Sequence, residues 1–220
     1  MFKKYLPLII ITSLLTLLPM LFGILAWNKL PDPMPTHFNY SGEADGYMSK
    51  AIAVFALPAA MLLVNVVCTA VTLMDPKRRN INGKPFVAVL WICPLTSILV
   101  NGLMYIYAFG LKVNIITVVL LVMGILFVVL GNYLPKCGQN YSIGIKTPWA
   151  LNDGDNWRAT HRFGGKIFVA VGVLTIILAF FASLSPKLFF WVYITLVIAS
   201  GLAPTAYSYI YYIRHPKKDD

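Results

Sequence analysis

A chain of 220 residues that is 59% hydrophobic and 12% charged, with mean hydropathy +0.74, lies outside the range of soluble domains, whose charged fraction is about 25%. The composition excludes an ordinary water-soluble fold and specifies an integral membrane protein. A formal charge of +10 suits an anionic partner, but a membrane chain also needs Lys and Arg on one face to set its orientation, so the placement of the charges decides.

A hydrocarbon core of about 30 Å takes roughly 20 apolar residues of helix. Six runs meet that length: 5–26, 51–74, 86–109, 113–130, 163–184 and 188–213. The first follows Lys3 and Lys4; it is longer than a signal-peptide core and lacks a small-residue cleavage site, so an uncleaved span is expected. With the second it makes an N-terminal two-helix unit, 1–74, enclosing the loop 27–50. In that loop Pro31, Pro33 and Pro35 enforce extended backbone, and Ser41-Gly42 and Asp45-Gly46 mark turns. The expectation is a stiff arm folded back as a compact cap, with His37, Asn39, Glu43 and Asp45 as its polar side chains.

A short basic loop, 75–85, precedes the third and fourth spans in 86–130. The connections between spans three and four and between five and six are only a few residues long, so each pair forms an antiparallel hairpin. Residues 131–162 are the only long polar stretch, and 163–220 hold the last two spans and a basic tail. An even number of spans puts both termini on one side. Of the 18 Lys and Arg residues, only Lys29, Lys50, Lys112 and Lys187 fall on the opposite side, so the termini are expected in the cytoplasm. The excess charge is thus a topology signal, and no direct contact with nucleic acid is expected.

The interiors of the spans carry no Asp, Glu, Lys, Arg or His, which argues against a charge-coupled transporter. Asn65, Asn101 and the Ser and Thr hydroxyls suit hydrogen bonds between helices, and Pro19, Pro58, Pro94 and Pro204 suit kinks. Glu43 is the only glutamate, His37, His161 and His215 lie on separate segments, and Cys68, Cys93 and Cys137 form no Cys-x-x-Cys pair. Ser142, Asp153 and His161 make a triad on paper only, since nothing in their spacing specifies its geometry. No catalytic residue, metal site or cofactor is therefore expected.

In the long loop Pro148 holds Thr147 extended, and Trp149 suits the membrane interface. Asn152 to Asp155 supply a turn and a helix N-cap, with carboxylates at the positive end of the helix dipole. Trp157 and His161, and likewise Arg158 and Arg162, share faces of the helix that follows, and Gly164 with Gly165 permits close helix approach. Two uses stay open: a headgroup-binding connector, or a folded lid that presents a docking surface.

The stretch LPDPMPTHFNYSGEADGYMSK resembles a bacterial membrane domain of unknown function, of the DUF1648 type, that recurs at the N-terminus of SdpI-like proteins. Gly131-Asn132-Tyr133, Asn140, Gly144-Ile145, Thr147-Pro148-Trp149, Trp157, Thr160-His161-Arg162 and Gly164-Gly165 then stand in the order seen in the SdpI-like family. Cys137 departs from that pattern. The resemblance covers essentially the whole chain. It implies an all-α, six-span protein of the bacterial cell membrane that is not an enzyme, confers immunity to a secreted peptide toxin and retains a cytosolic transcriptional repressor at the membrane. His37, Asn39, Glu43 and Asp45 become candidates for the toxin-facing loop. Asn140, Thr147, Trp149, Asp155, Trp157, Arg158, His161 and Arg162 become candidates for cytoplasmic docking. The alternative is a small-solute or lipid-handling protein with a cavity between kinked helices.

Overall fold

The structure, a computed structural model, describes residues 2–81 and 83–216; Lys217 and Lys218 of the basic tail lie outside the described residues. Six helical stretches among them are long and apolar enough to cross a membrane. The first is α1 (Phe2–Thr16) continued by α2 (Leu18–Leu25). Next come α3 (Leu57–Met74), entered through a wide helical turn at Ile52–Ala56, α4 (Lys84–Ala108) and α5 (Ile115–Tyr133). A short α6 (Pro148–Asn152) precedes the long α7 (Gly154–Phe181) and α8 (Pro186–Arg214). Their outer faces are apolar: Leu14, Leu63 and Phe180 are 64%, 65% and 70% exposed. Thr12, Thr16, Asn65, Ser97, Asn101 and Thr175 are buried instead, a distribution that suits lipid rather than water as the surrounding solvent.

The chain packs as two compact units. The first comprises residues up to Leu73 together with Val89–Val119. Its helix α1 ends just before Pro19, which lacks a backbone donor. Side chains of α4 serve the carbonyls at the break: Ser97 Oγ donates to Thr16 O at 2.8 Å and the Tyr105 hydroxyl to Pro19 O at 2.9 Å. Asn101 donates to Ser97 O at 2.8 Å, and Asn65 to Ser13 Oγ at 3.2 Å. The polar residues of these spans thus hold helices and breaks together.

The loop 27–50 differs from the extended cap expected. Its arms pair as an antiparallel hairpin, β1 (Met34–Phe38) with β2 (Ala44–Met48), so a small sheet joins an otherwise helical fold. Pro35 is tolerated because both strands of a two-stranded sheet are edges, and the register is irregular on either side of His37. Met34 anchors the hairpin, fully buried in a cluster with Leu30, Ala53, Val54, Met104 and Tyr105.

The second unit comprises Met74–Ala88 and the chain from Leu120 onward. Glycines bring α5 and α7 together: a Cβ added at Gly172 would lie 2.6 Å from Gly124 O, and one at Gly131 would lie 2.8 Å from Gly165 O. Such contacts let backbones pack where a side chain would hold them apart. Helix α7 begins well before the apolar run at 163, because Asp153 caps it, its carboxylate accepting from the Asp155 N–H at 3.0 Å.

Candidate functional site

Two polar segments remain once the spans are packed. In the first unit, Asn39 builds the hairpin turn. Its side-chain oxygen accepts from Ser41 N at 2.8 Å and Glu43 N at 3.1 Å, while Gly42 takes the positive φ of 79° that the turn requires. His37 Nδ1 lies 2.5 Å from Asp45 Oδ1, both groups being exposed. Glu43 is exposed as well, so His37, Glu43 and Asp45 stand at the surface and half-buried Asn39 shapes what they stand on. Phe38 meets Tyr107 edge to face at 5.1 Å, and Lys50 Nζ donates to Trp27 O and Leu30 O at 3.2 and 3.1 Å, tying the hairpin's base to the helices.

In the second unit the long loop folds around Trp157 and His161. Both are 1% exposed, and their rings stack with centroids 3.9 Å apart. Trp157 Nε1 donates to Cys137 O at 2.8 Å. His161 Nε2 accepts from the Ile145 N–H at 3.1 Å, so Nδ1 carries the proton and donates to Trp157 O at 2.8 Å. Gly144, at φ 119°, passes so close to the imidazole that a Cβ there would overlap His161 Nε2. The Trp and His four residues apart therefore form the post around which the loop closes, and their side chains face inward.

Asn140 is equally internal. Its amide donates to Gly138 O and Ile143 O at 2.8 and 2.9 Å and accepts from Ser142 N and Ile143 N at 2.8 and 2.6 Å, which satisfies the whole amide group. Thr147 caps α6, accepting from Ala150 N at 3.1 Å, and its hydroxyl reaches Ser208 Oγ at 2.6 Å. Ser208 donates in turn to Asn156 Oδ1 at 2.8 Å, Thr160 donates to the same oxygen at 2.9 Å, and Asn156 Nδ2 returns to Ser208 O at 2.9 Å. This closed network joins α6, α7 and α8 in a buried setting, where a satisfied chain of hydrogen bonds fixes a unique packing.

The remaining candidates face outward. Trp149 is half-buried against Tyr209 and Tyr212, with centroids at 4.9 and 6.3 Å, so α8 seats it rather than leaving it as a bare interface marker. Asp155 and Arg158 pair on the surface, and Arg162 is exposed one turn further on. The paper triad does not assemble: Ser142 Oγ donates to Asp75 and both ring nitrogens of His161 are engaged by backbone groups. Burial pushes the Cys137 thiol up to about 11, which keeps it protonated at neutral pH.

Four residues that hold the loop do not stand out in the sequence. Asp75, 3% exposed, accepts from Lys77 N at 2.7 Å, Tyr141 N at 2.8 Å and Ser142 Oγ at 2.6 Å. Gln139 donates to Ala150 O and Leu151 O at 2.9 and 3.0 Å, and Asn156 and Ser208 form the network above. The available signal for Asp75 is that it is the single acid in a segment otherwise populated by Lys77, Arg78, Arg79 and Lys84.

Comparison with known proteins adds the following. The profile of the domain of unknown function DUF1648 matches residues 14–62, which contain the hairpin. That of the SdpI/YfhL protein family matches residues 136–208, from the long loop into α8. The chain is 27% identical over 207 residues to the immunity protein SdpI of Bacillus subtilis (strain 168), covering 92% of this chain and 95% of that relative. No solved structure matches.

Proposed function

Because the chain belongs to the SdpI-like family, we propose that it is a multi-pass immunity protein of the bacterial cell membrane. It protects its cell against a secreted peptide toxin and, when engaged by that toxin, retains a cytosolic transcriptional repressor at the membrane. The observation that carries this proposal is the similarity to an immunity protein along 92% of the chain, through both polar segments as well as the spans. The Lys and Arg distribution supports an orientation with the termini and the long loop in the cytoplasm and the hairpin outside.

In this reading the hairpin meets the toxin through His37, Glu43 and Asp45, with Asn39 setting the turn. The long loop meets the regulator through Trp149, Asp155, Arg158 and Arg162, while buried Asn140, Thr147, Trp157 and His161 maintain its shape. No step of this activity breaks or forms a covalent bond. The test is expression in a toxin-sensitive bacterium challenged with the peptide fraction of the host's own culture medium. Survival that is lost on Glu43→Ala/Asp45→Ala is the expected result. Killing despite normal protein levels in the membrane overturns the proposal.

One observation favours the second reading, a small-solute or lipid-handling protein. A groove of about 530 Å³ in the first unit is lined by Leu18, Phe22, Ile98, Tyr105 and Phe109. If the protein moves lipid, reconstituted vesicles should exchange fluorescent phospholipid between leaflets faster than protein-free ones. Equal rates would remove this alternative.

A further inference from the structure

Within the second unit a pocket of about 760 Å³ opens between α5, α7 and α8. Its polar lining is Asn132 on α5, Arg162 and Lys166 on α7, and Tyr207 and Tyr211 on α8. Arg162 and Lys166 are one helical turn apart and share a face, and neither forms an ion pair with a described residue. The lining contains no Asp or Glu. Two uncompensated cations flanked by hydroxyl and amide donors match a phosphate-bearing anion, to which Arg offers a planar fork and Lys a point charge.

The rest of the lining tells a lipid from a free phosphate. Phe163 stacks on Tyr207 with centroids 4.4 Å apart and planes 11° from parallel, which gives the pocket a fixed aromatic wall. Further along α7, roughly 10 Å from Arg162 at the helical rise per residue, the lining turns apolar at Val169 and Ala170. The cations thus stand where the apolar run of α7 begins, and the hydrocarbon wall follows on the side a lipid's tails would enter. Gly131 and Gly165 line the pocket where α5 and α7 approach closely, a Cβ at either lying 2.8 or 2.7 Å from the other's carbonyl oxygen.

We propose that this pocket seats an anionic phospholipid, its phosphate held by Arg162 and Lys166 and its acyl chain lying along Val169 and Ala170. The site is independent of the immunity reading, because a lipid bound there serves any activity the long loop has. Arg162, named above for docking, then faces the lipid head, so a partner reaching it would meet protein and lipid together.

The experiment uses the full chain in mild detergent and native mass spectrometry. The probes are phosphatidylglycerol and phosphatidylcholine with identical acyl chains, and inorganic phosphate. Retention of phosphatidylglycerol over phosphatidylcholine by about tenfold is expected, as is its fall to near parity in Arg162→Gln/Lys166→Gln. Lys146→Gln/Lys187→Gln, which removes equal charge elsewhere, should keep the preference. Tyr207→Phe/Tyr211→Phe, which preserves the ring wall, should lower it severalfold, and this variant carries the test if the glutamine pair fails to fold. Equal retention of the two lipids, or a preference unchanged in the pocket variants, overturns the proposal. Thermal stabilisation by inorganic phosphate matching that by phosphatidylglycerol would assign the site to a free anion and overturn the lipid assignment.

Discussion

Asp75 and Ser142 meet carboxylate to hydroxyl at 2.6 Å, and the same carboxylate oxygen accepts the Tyr141 N–H at 2.8 Å. The short segment after α3 is thereby fastened to the long loop more than sixty residues later in the chain. Lys77 reinforces the junction, its ammonium donating to Gln139 Oε1 at 3.0 Å and lying 5.1 Å from the centre of the Tyr141 ring.

Asp75→Ala removes the acceptor of the Tyr141 N–H in a buried setting, where an unmade hydrogen bond costs about 1–3 kcal/mol. The thermal midpoint in detergent should fall, and amide exchange at Tyr141 and its neighbours should quicken with little change in the spans. Asp75→Asn keeps one oxygen and should do less damage. Unchanged exchange in Asp75→Ala would show that the junction is not what holds the loop.

Gly144 and His161 make a second, steric prediction. Gly144→Ala places a methyl group against the imidazole and a side chain on backbone that L-residues rarely adopt. Destabilisation of about 2 kcal/mol or more is expected. In a His161→Ala background the steric part disappears, so the cost of Gly144→Ala should shrink. Additive costs in the double variant, followed by thermal unfolding, would place the whole penalty in the backbone conformation.

The spans were legible because length and hydropathy are properties of consecutive residues. Asp153 could likewise be read as a cap from its immediate neighbours. The hairpin is not legible as a sheet: dense proline argues for unpaired extended chain, whereas the Asn39 turn and the burial of Met34 against the helices accompany its pairing. In the long loop, i to i+4 spacing correctly put Trp157 and His161 on one face. Spacing cannot say whether that face is turned outward, and here Cys137 O and Ile145 N turn it in. Asp75, Asn156 and Ser208 carry no local signal for a related reason, since each acts on a partner more than fifty residues away. Among the residues expected for docking, Asn140, Thr147, Trp157 and His161 are therefore internal and hold the loop's shape.

The Thr147 to Ser208 bond at 2.6 Å gives a prediction about coupling. Thr147 donates to Ser208, which donates to Asn156, so Thr147→Val and Ser208→Ala each break the same chain of hydrogen bonds. Their effects on the thermal midpoint should be strongly non-additive, with an interaction of about 0.5–3 kcal/mol. Simple additivity would mean that α6 and α8 are held by packing, the Trp149 contact with Tyr209 among it.

The hairpin separates stability from recognition. His37 and Asp45 are 74% and 44% exposed in their side chains, and a polar contact between side chains in that setting contributes about 0.2–1 kcal/mol. Asp45→Ala should therefore leave the thermal midpoint nearly unchanged. Asn39→Ala removes the acceptor for two backbone donors of the turn and should loosen the hairpin, seen as faster amide exchange at Ser41 and Glu43. If the toxin reads the exposed side chains, both variants lose protection in the survival assay, but only Asn39→Ala also loses hairpin structure. Full protection by a well-folded Asp45→Ala would move recognition away from the His37 and Asp45 pair. Protection retained even by Asn39→Ala would move it off the hairpin altogether, towards the apolar faces of α2 and α4.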